Sequence, residues 1–256
     1  FIPIPVISLL STLFIYFSIM IHKIPIESIL FLDIETVPEY KSFHELPEHQ
    51  QQLYADKTAY QRKEEVSPED FYHKAGIWAE FGKIVCISAG FITNRNGENQ
   101  IRITSFHGDE KSLLAEFTDL VQGHFNQPQS LLCAHNGKEF DFPYIARRML
   151  INGMNLPDKL QLFGKKPWEV PHLDTLELWK FGNYKYSTSL KLLASVFGIP
   201  SPKNDIDGSQ VRDVFYEEEN IDRIVTYCEK DVVTLAQVFL KMRNEELIED
   251  HQIKIV

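Results

Sequence analysis

Cysteine is scarce in this chain. Only Cys86, Cys133 and Cys228 occur among 256 residues, and they form neither a Cys-x-x-Cys pair nor a Cys/His cluster. That excludes a disulfide framework and a zinc-finger-type site, and it suits a reducing compartment. Cys86 and Cys133 lie in apolar runs and read as small buried hydrophobes. None of the nine histidines has metal-ligand spacing with another. Basic charge is also limited: 26 Lys and Arg stand against 36 Asp and Glu, for a net charge of −10. A uniformly basic surface of the kind that coats duplex DNA is therefore excluded. Nucleic-acid chemistry is not, because a carboxylate-rich metal site is itself acidic until cations fill it. Internal repeats and low-complexity tracts are absent, which removes repeat architectures from consideration.

What is present is ordinary for a globular protein: 44% hydrophobic and 24% charged residues, in a length that fits one domain, perhaps with an insertion. Charge is unevenly spread. Residues 138–203 hold ten Lys or Arg against six Asp or Glu, leaving −14 on the rest. Residues 1–21 carry no charged side chain, and Val6–Ile21 is a nearly unbroken apolar run. The stretch is expected to be one of two things. It is either an upstream extension, with Met20 opening the domain, or a membrane anchor whose flanking Lys23 keeps the adjoining domain in the cytoplasm. Both place the domain of residues 22–250 in the cytoplasm, and membrane contact is expected only if the leader is real.

Beyond the leader, Ser28–Ile34 predicts a buried strand. The polar stretch 38–82 predicts a partly helical insertion. Lys83–Thr93 and Ile101–His107 predict a hairpin turned by the intervening Asn- and Gly-rich residues. A helix is expected over Asp109–Gly123, a strand over Ser130–His135 and a helix over Asp141–Ile151. Short elements are expected around Pro171–Lys180 and Ser187–Phe197, then a long helix from about Asn220 to Asn244. Leading strands alternating with helices predict a mixed central sheet flanked by helices.

Three local patterns carry chemistry. In Phe31–Thr36, Asp33 and Glu35 stand two apart on a strand, so both carboxylates point to one face, where they repel unless a cation lies between them. In Cys133–Met149, a strand gives way to a short turn and Asp141 lands at a helix start, where an acid is otherwise a common N-cap. In Thr226–Phe239, Tyr227 and Asp231 are four apart on a helix and share a face. Asp174 and the pair Asp205/Asp207 read as a strand-end hydrogen bond and a turn.

Asp-x-Glu on the first strand, Asn-x(3)-Phe-Asp at a strand-to-helix turn and Tyr-x(3)-Asp on a late helix, in that order, resemble the three motifs of DEDD-superfamily 3′–5′ exonucleases. The last pattern resembles the tyrosine branch, since no His lies between Leu173 and Asp250. FDFPYIARR, LDTLELWKFG, SLKLLASVFGIP and YCEKDVV are similar to proofreading domains of family B DNA polymerases and, more closely, to stand-alone PolB-like exonucleases. The resemblance spans about residues 22–245 and does not carry over polymerase function.

It implies a ribonuclease H-like fold and two divalent metal ions, Mg²⁺ or Mn²⁺. Asp33 is implied as their bridge, Glu35 and Asp231 as ligands of the ion that activates water, and Asp141 as support for the second ion. Tyr227 is implied to orient the water, and Thr36, Asn136 and Phe140 to grip the 3′ nucleotide. The expected substrate is a single-stranded 3′ end, DNA rather than RNA, with no obligate protein partner inferred. The competing expectations are an RNase D-like exoribonuclease and a non-catalytic nucleic-acid-binding module.

Overall fold

The computed structural model describes residues 20–256 apart from Glu64, Asn96, Tyr186 and residues 201–205. The apolar leader thus falls almost wholly outside the described residues, as does Asp205. Among the described residues no helix is long and apolar enough to cross a membrane.

Strand β1 (Ile29–Pro38) opens the fold. The chain then forms α1 (Glu48–Thr58) and α2 (Pro68–Phe71), and a 3₁₀ turn (Tyr72–Ile77) brings it to the hairpin β2 (Gly82–Arg95) and β3 (Glu98–His107). Helix α3 (Glu110–His124), capped by the Asp109 carboxylate, leads to β4 (Leu131–Ala134) and α4 (Asp141–Ile151). The two-residue strand β5 (Leu173–Asp174), α5 (Thr175–Lys180), α6 (Leu190–Val196) and α7 (Val211–Tyr216) precede α8 (Ile221–Met242), and β6 (Ile253–Ile255) closes the chain.

The six strands form one mixed sheet in the order β5-β4-β1-β2-β3-β6. β2 runs antiparallel to both of its neighbours, β1 and β3, whereas β4 runs parallel to β1, β5 to β4 and β6 to β3. The hairpin closes tightly because Arg95 pairs with Glu98 and Gly97 takes a φ of 87°, which a side chain would resist.

Both faces of the sheet are covered, and β1 serves both by its period of two. Leu30, Leu32 and Ile34 pack with Leu113, Phe117 and Ile145 of α3 and α4. Ile29 and Phe31 pack with Val232, Leu235 and Phe239 of α8, the Phe31 and Phe239 rings meeting edge to face at 5.6 Å. Asp33 and Glu35 continue that second row, so the strand that builds the core also aims two carboxylates at α8.

One sequence expectation needs correction. β1 does not end at Ile34. Its ladder with β2 runs on to a Pro38–Gly82 pair, so the acids lie inside the strand. What stops nearby is β4, which pairs with β1 only from Ile29 to Phe31 and leaves the edge beyond open to the turn before α4. Between the strands, residues 39–81 are partly helical and build a small aromatic core of their own around the fully buried Tyr54. Helix α7 and strand β6 were not anticipated: each is short, and their apolar residues lack a run long enough to show a period.

Candidate active site

The acids come from three elements. Asp33 and Glu35 lie on β1 beside a bulge in the β2 register, where Glu35 faces Cys86 but Thr36 faces Ile84. Such a bulge bends the strand locally and re-aims the side chains beyond it. Asp141 is the first residue of α4. It is buried and does not act as the N-cap, which is Phe140 and makes no side-chain cap bond. Tyr227 and Asp231 project from the first half of α8, where the phenol hydrogen-bonds the carboxylate.

These groups meet. Burial, then the charges of Asp141 and Asp231, push the Asp33 carboxyl well above its usual range. Burial, then Asp33 and Asp231, do the same to Glu35. Asp141 is raised by burial to about 7, although its own amide and the Ile34 backbone pull the other way. Tyr227 is held protonated by burial and by Asp231. Carboxylates this crowded keep their protons near neutrality unless a cation takes the protons' place.

The donor set fits a hard divalent cation. Oxygens of Asp33 and Glu35 and the sulfur of Cys228 lie within 4.8 Å of one another. Cys228 is not a natural ligand in this state, because burial raises its thiol and keeps it protonated. It donates instead, to the Asp33 carbonyl at 3.4 Å and to Asp33 Oδ2 at 3.6 Å. Excluding the thiol leaves oxygen donors, which suit Mg²⁺ or Mn²⁺ better than zinc.

The turn carrying Asp141 to this place is held from the neighbouring strand. Asp174 Oδ1 accepts from the amides of Asn136 (3.0 Å) and Leu176 (2.9 Å), and Oδ2 from the amide of Lys138 (3.1 Å). The Lys138 side chain is buried and pairs with Glu177 at 2.9 Å. Asn136 adopts a left-handed φ of 66°, and its carbonyl accepts from Phe140 N at 3.0 Å. A Cβ on Gly137 would stand 2.4 Å from that of Ala134, so the turn has no room for a side chain there. Asp174, read from sequence as a strand-end hydrogen bond, is thus both that and the clamp of the turn.

A cavity of about 410 Å³ opens onto the site, lined by Glu35, Thr36 and Phe140 among others. Asn136 does not line it and instead serves the turn. A larger cavity of about 510 Å³ lies around Glu110 and Arg148 and contains none of the four acids. There the Arg148 guanidinium is already committed to Glu110, Glu39 and the Ala79 carbonyl.

Sequence reasoning missed two contributors. Cys228 sits three residues before Asp231, a helical spacing that places both on neighbouring faces and could have exposed it. The wall supplied by residues 73–77 had no such signal, since nothing in that polar stretch says where it docks.

No curated protein matches the chain. Among solved structures it is similar to the family B DNA polymerase from the hyperthermophilic archaeon Pyrobaculum calidifontis, at 17% identity and a TM-score of 0.51. The match covers 83% of this chain and 24% of the polymerase, so the chain spans about a quarter of that protein. At that identity the likeness speaks for the fold, the ribonuclease H-like arrangement of a mixed sheet between helices. The family model described as a predicted 3′–5′ exonuclease related to the exonuclease domain of PolB matches residues 77–251, more than half of the sequence, and the chain belongs to that family.

Proposed function

We propose that this chain is a metal-dependent 3′–5′ exonuclease that removes nucleoside 5′-monophosphates from single-stranded DNA. The observation that carries the proposal is the meeting of Asp33, Glu35, Asp141 and Asp231 in one place, Glu35 and Asp141 buried and the other two half-buried, with Tyr227 bonded to the last of them. Carboxylates crowded together in this way are costly to bury, and a pair of divalent cations is the ligand that offsets the cost.

Asp33, on whose carboxyl the charges of both Asp141 and Asp231 act, would be a ligand of both ions, with Glu35 and Asp231 completing one site and Asp141 supporting the other. Bound there, two divalent ions supply positive charge to the attacking and leaving oxygens of an in-line displacement at phosphorus. Tyr227 keeps its proton and orients the attacking water with its hydroxyl. Thr36 and Phe140, on the cavity that Glu35 shares, face the terminal nucleotide. Asp141, Tyr227 and Asp231 lie within the residues matched by the family model, and Asp33 and Glu35 in the strand before them.

Matched 5′-labelled DNA and RNA oligonucleotides, incubated with Mg²⁺ or Mn²⁺, test this. Stepwise shortening of the DNA from its 3′ end with release of 5′-mononucleotides is the expected result. Faster digestion of RNA would reassign the substrate, and binding without cleavage in either metal would leave a non-catalytic module.

A further inference from the structure

Between Lys159 and Lys191 the chain exposes aromatic side chains that the site does not use. Phe163, Trp168, Phe181 and Tyr184 are 72 to 88% exposed, where rings of this size are ordinarily covered. They lie in the two segments that lead into and out of the edge strand β5, and the fold brings those segments together. Residues 161–169 are pinned where β4 and β5 begin. Leu160 and Val170 are buried on either side of them, and Lys159 Nζ donates to the carbonyls of Gln127 (2.6 Å) and Ser130 (2.7 Å). From the site end of β5, α5 turns the chain back. Trp179 packs with Phe197 and joins the cluster that holds Met242, the last residue of α8. That end of α8 adjoins the approach to β1, since Arg243 bonds the carbonyls of Ile21 and Ile24. Phe181 and Tyr184 thus return to the end of the sheet where Phe163 and Trp168 lie. The turn bearing Asp141 stands beyond the other end of β4, a strand of four residues and so roughly 10–13 Å long.

The patch joins these rings to positive charge. Lys166 Nζ stands 5.2 Å over the Trp168 ring, and Lys180 Nζ 5.4 Å over that of Tyr184. Residues 159–191 hold six lysines against three acids, in a chain whose net charge is −10. All three acids are engaged: Glu169 accepts from Lys166 N, Asp174 from backbone amides, and Glu177 pairs with Lys138. Phe181 ends α5 at a left-handed φ of 43°, a conformation that bulky residues rarely adopt, and the strain turns its ring outward. Flat rings set among lysines are complementary to a single-stranded nucleic acid. Its unpaired bases stack on aromatic faces, and its phosphates meet the ammonium groups. A duplex would hide the base faces, and an acidic protein segment would use the lysines while leaving the rings without planar partners.

We propose that this end of the sheet is a second, remote contact for single-stranded nucleic acid. Phe163, Trp168, Phe181 and Tyr184 stack bases well upstream of the 3′ end, and Lys166 and Lys180 meet the phosphates between them. A strand held there stays tethered while its end is shortened, so long single strands are bound and cut in preference to short ones. The inference rests on the nuclease reading above for the identity of the strand. It uses none of the motif residues and no part of the cavity beside Glu35.

Fluorescence anisotropy of labelled oligothymidylates in EDTA, where nothing is cut, reads the surface by itself. Wild type, Trp168→Ala and Phe181→Ala are compared on strands of about four and about sixteen nucleotides, the range of single-strand site sizes. Melting curves check that the variants fold. The Kd for the longer strand is expected to rise about fivefold or more in each variant, the usual effect of one lost stacking ring. With Mn²⁺, the preference in kcat/KM for the longer strand over the shorter should shrink by a similar factor. Unchanged affinity in either variant overturns the assignment while leaving the nuclease reading standing. Capture of polyglutamate as tightly as of the longer strand overturns it too, and gives the surface to an acidic protein segment. If wild type binds the longer strand through Trp168 and Phe181 but cuts neither strand with Mn²⁺, the nuclease reading fails and the binding surface stands.

Discussion

Cys228 donates its thiol to Asp33, at 3.6 Å from Oδ2 and 3.4 Å from the backbone carbonyl, and so fixes the carboxylate that the two ions are proposed to share. Cys228→Ala removes that donor while leaving every proposed ligand in place. The expected outcome is a several-fold rise, roughly 3- to 10-fold, in the Mn²⁺ concentration needed for half-maximal activity, as is common when a group that orients a metal ligand is lost. A Mn²⁺ titration of the exonuclease rate measures it. An unchanged metal requirement would show that Asp33 is held well enough by β1 alone.

Asp33→Asn and Tyr227→Phe separate metal binding from water positioning. The first is expected to abolish activity, because a shared ligand loses its charge. The second should keep Mn²⁺ affinity to within several-fold by isothermal titration, since the phenol also bonds Asp231, and lower single-turnover cleavage about 10²-fold because its hydrogen bond to the nucleophile is lost. Cleavage at the wild-type rate by Tyr227→Phe would return the phenol to a packing role, and an active Asp33→Asn would refute the metal assignment.

The raised carboxyls have a consequence for the metal-free protein. Asp141 titrates near 3.8 when unfolded and at about 7 when folded. The folded state therefore binds the proton more tightly, and the associated stability is complete below pH 4 and is lost as pH rises through 7. Asp141→Asn removes the buried charge. In EDTA at pH 8 the variant is expected to be more stable than wild type by roughly 2–4 kcal/mol, since a tenfold change in acid strength is worth about 1.4 kcal/mol. At pH 4 the difference should vanish. Denaturant melts at both pH values measure it, and a destabilised variant at pH 8 would show that Asp141 is not strained by the site.

Gly76→Ala tests how the wall of the cavity is docked. A methyl group 2.9 Å from the Val37 carbonyl carbon cannot be accommodated without moving the 72–77 turn away from β1. A loss of about 1–3 kcal/mol is expected, the usual cost of overpacking. Faster tryptic cleavage after Lys74 should accompany it. Unchanged stability and protease resistance would mean that the turn is not pinned there.

Much of this arrangement was legible in the sequence because it arises from periodicity and spacing. The row Ile29, Phe31, Asp33, Glu35 declares its face by alternation. The fourfold step from Tyr227 to Asp231 does so by helical pitch, and the helix expected from about Asp141 to Ile151, marked by its preceding turn and by Pro143 in the first turn, is α4. The hidden part depends on contacts between distant segments. The full reach of β1 is set by Gly82 and Lys83 across the ladder, not by its own residues. The placing of residues 72–77 depends on a glycine meeting a backbone some forty positions earlier. Asn136 matched a pattern for gripping substrate, yet the structure gives its backbone to the turn and to Asp174.

The contact between Asp33 and Cys228 joins positions 195 residues apart. During synthesis the strand bearing Asp33 and Glu35 leaves the ribosome first, and the helix bearing Tyr227 and Asp231 emerges only after those 195 residues. At roughly 5–20 residues per second, this interval lasts about 10–40 seconds. Throughout it the nascent chain lacks Tyr227 and Asp231, and the proposed site cannot be complete until α8 has followed β1 out.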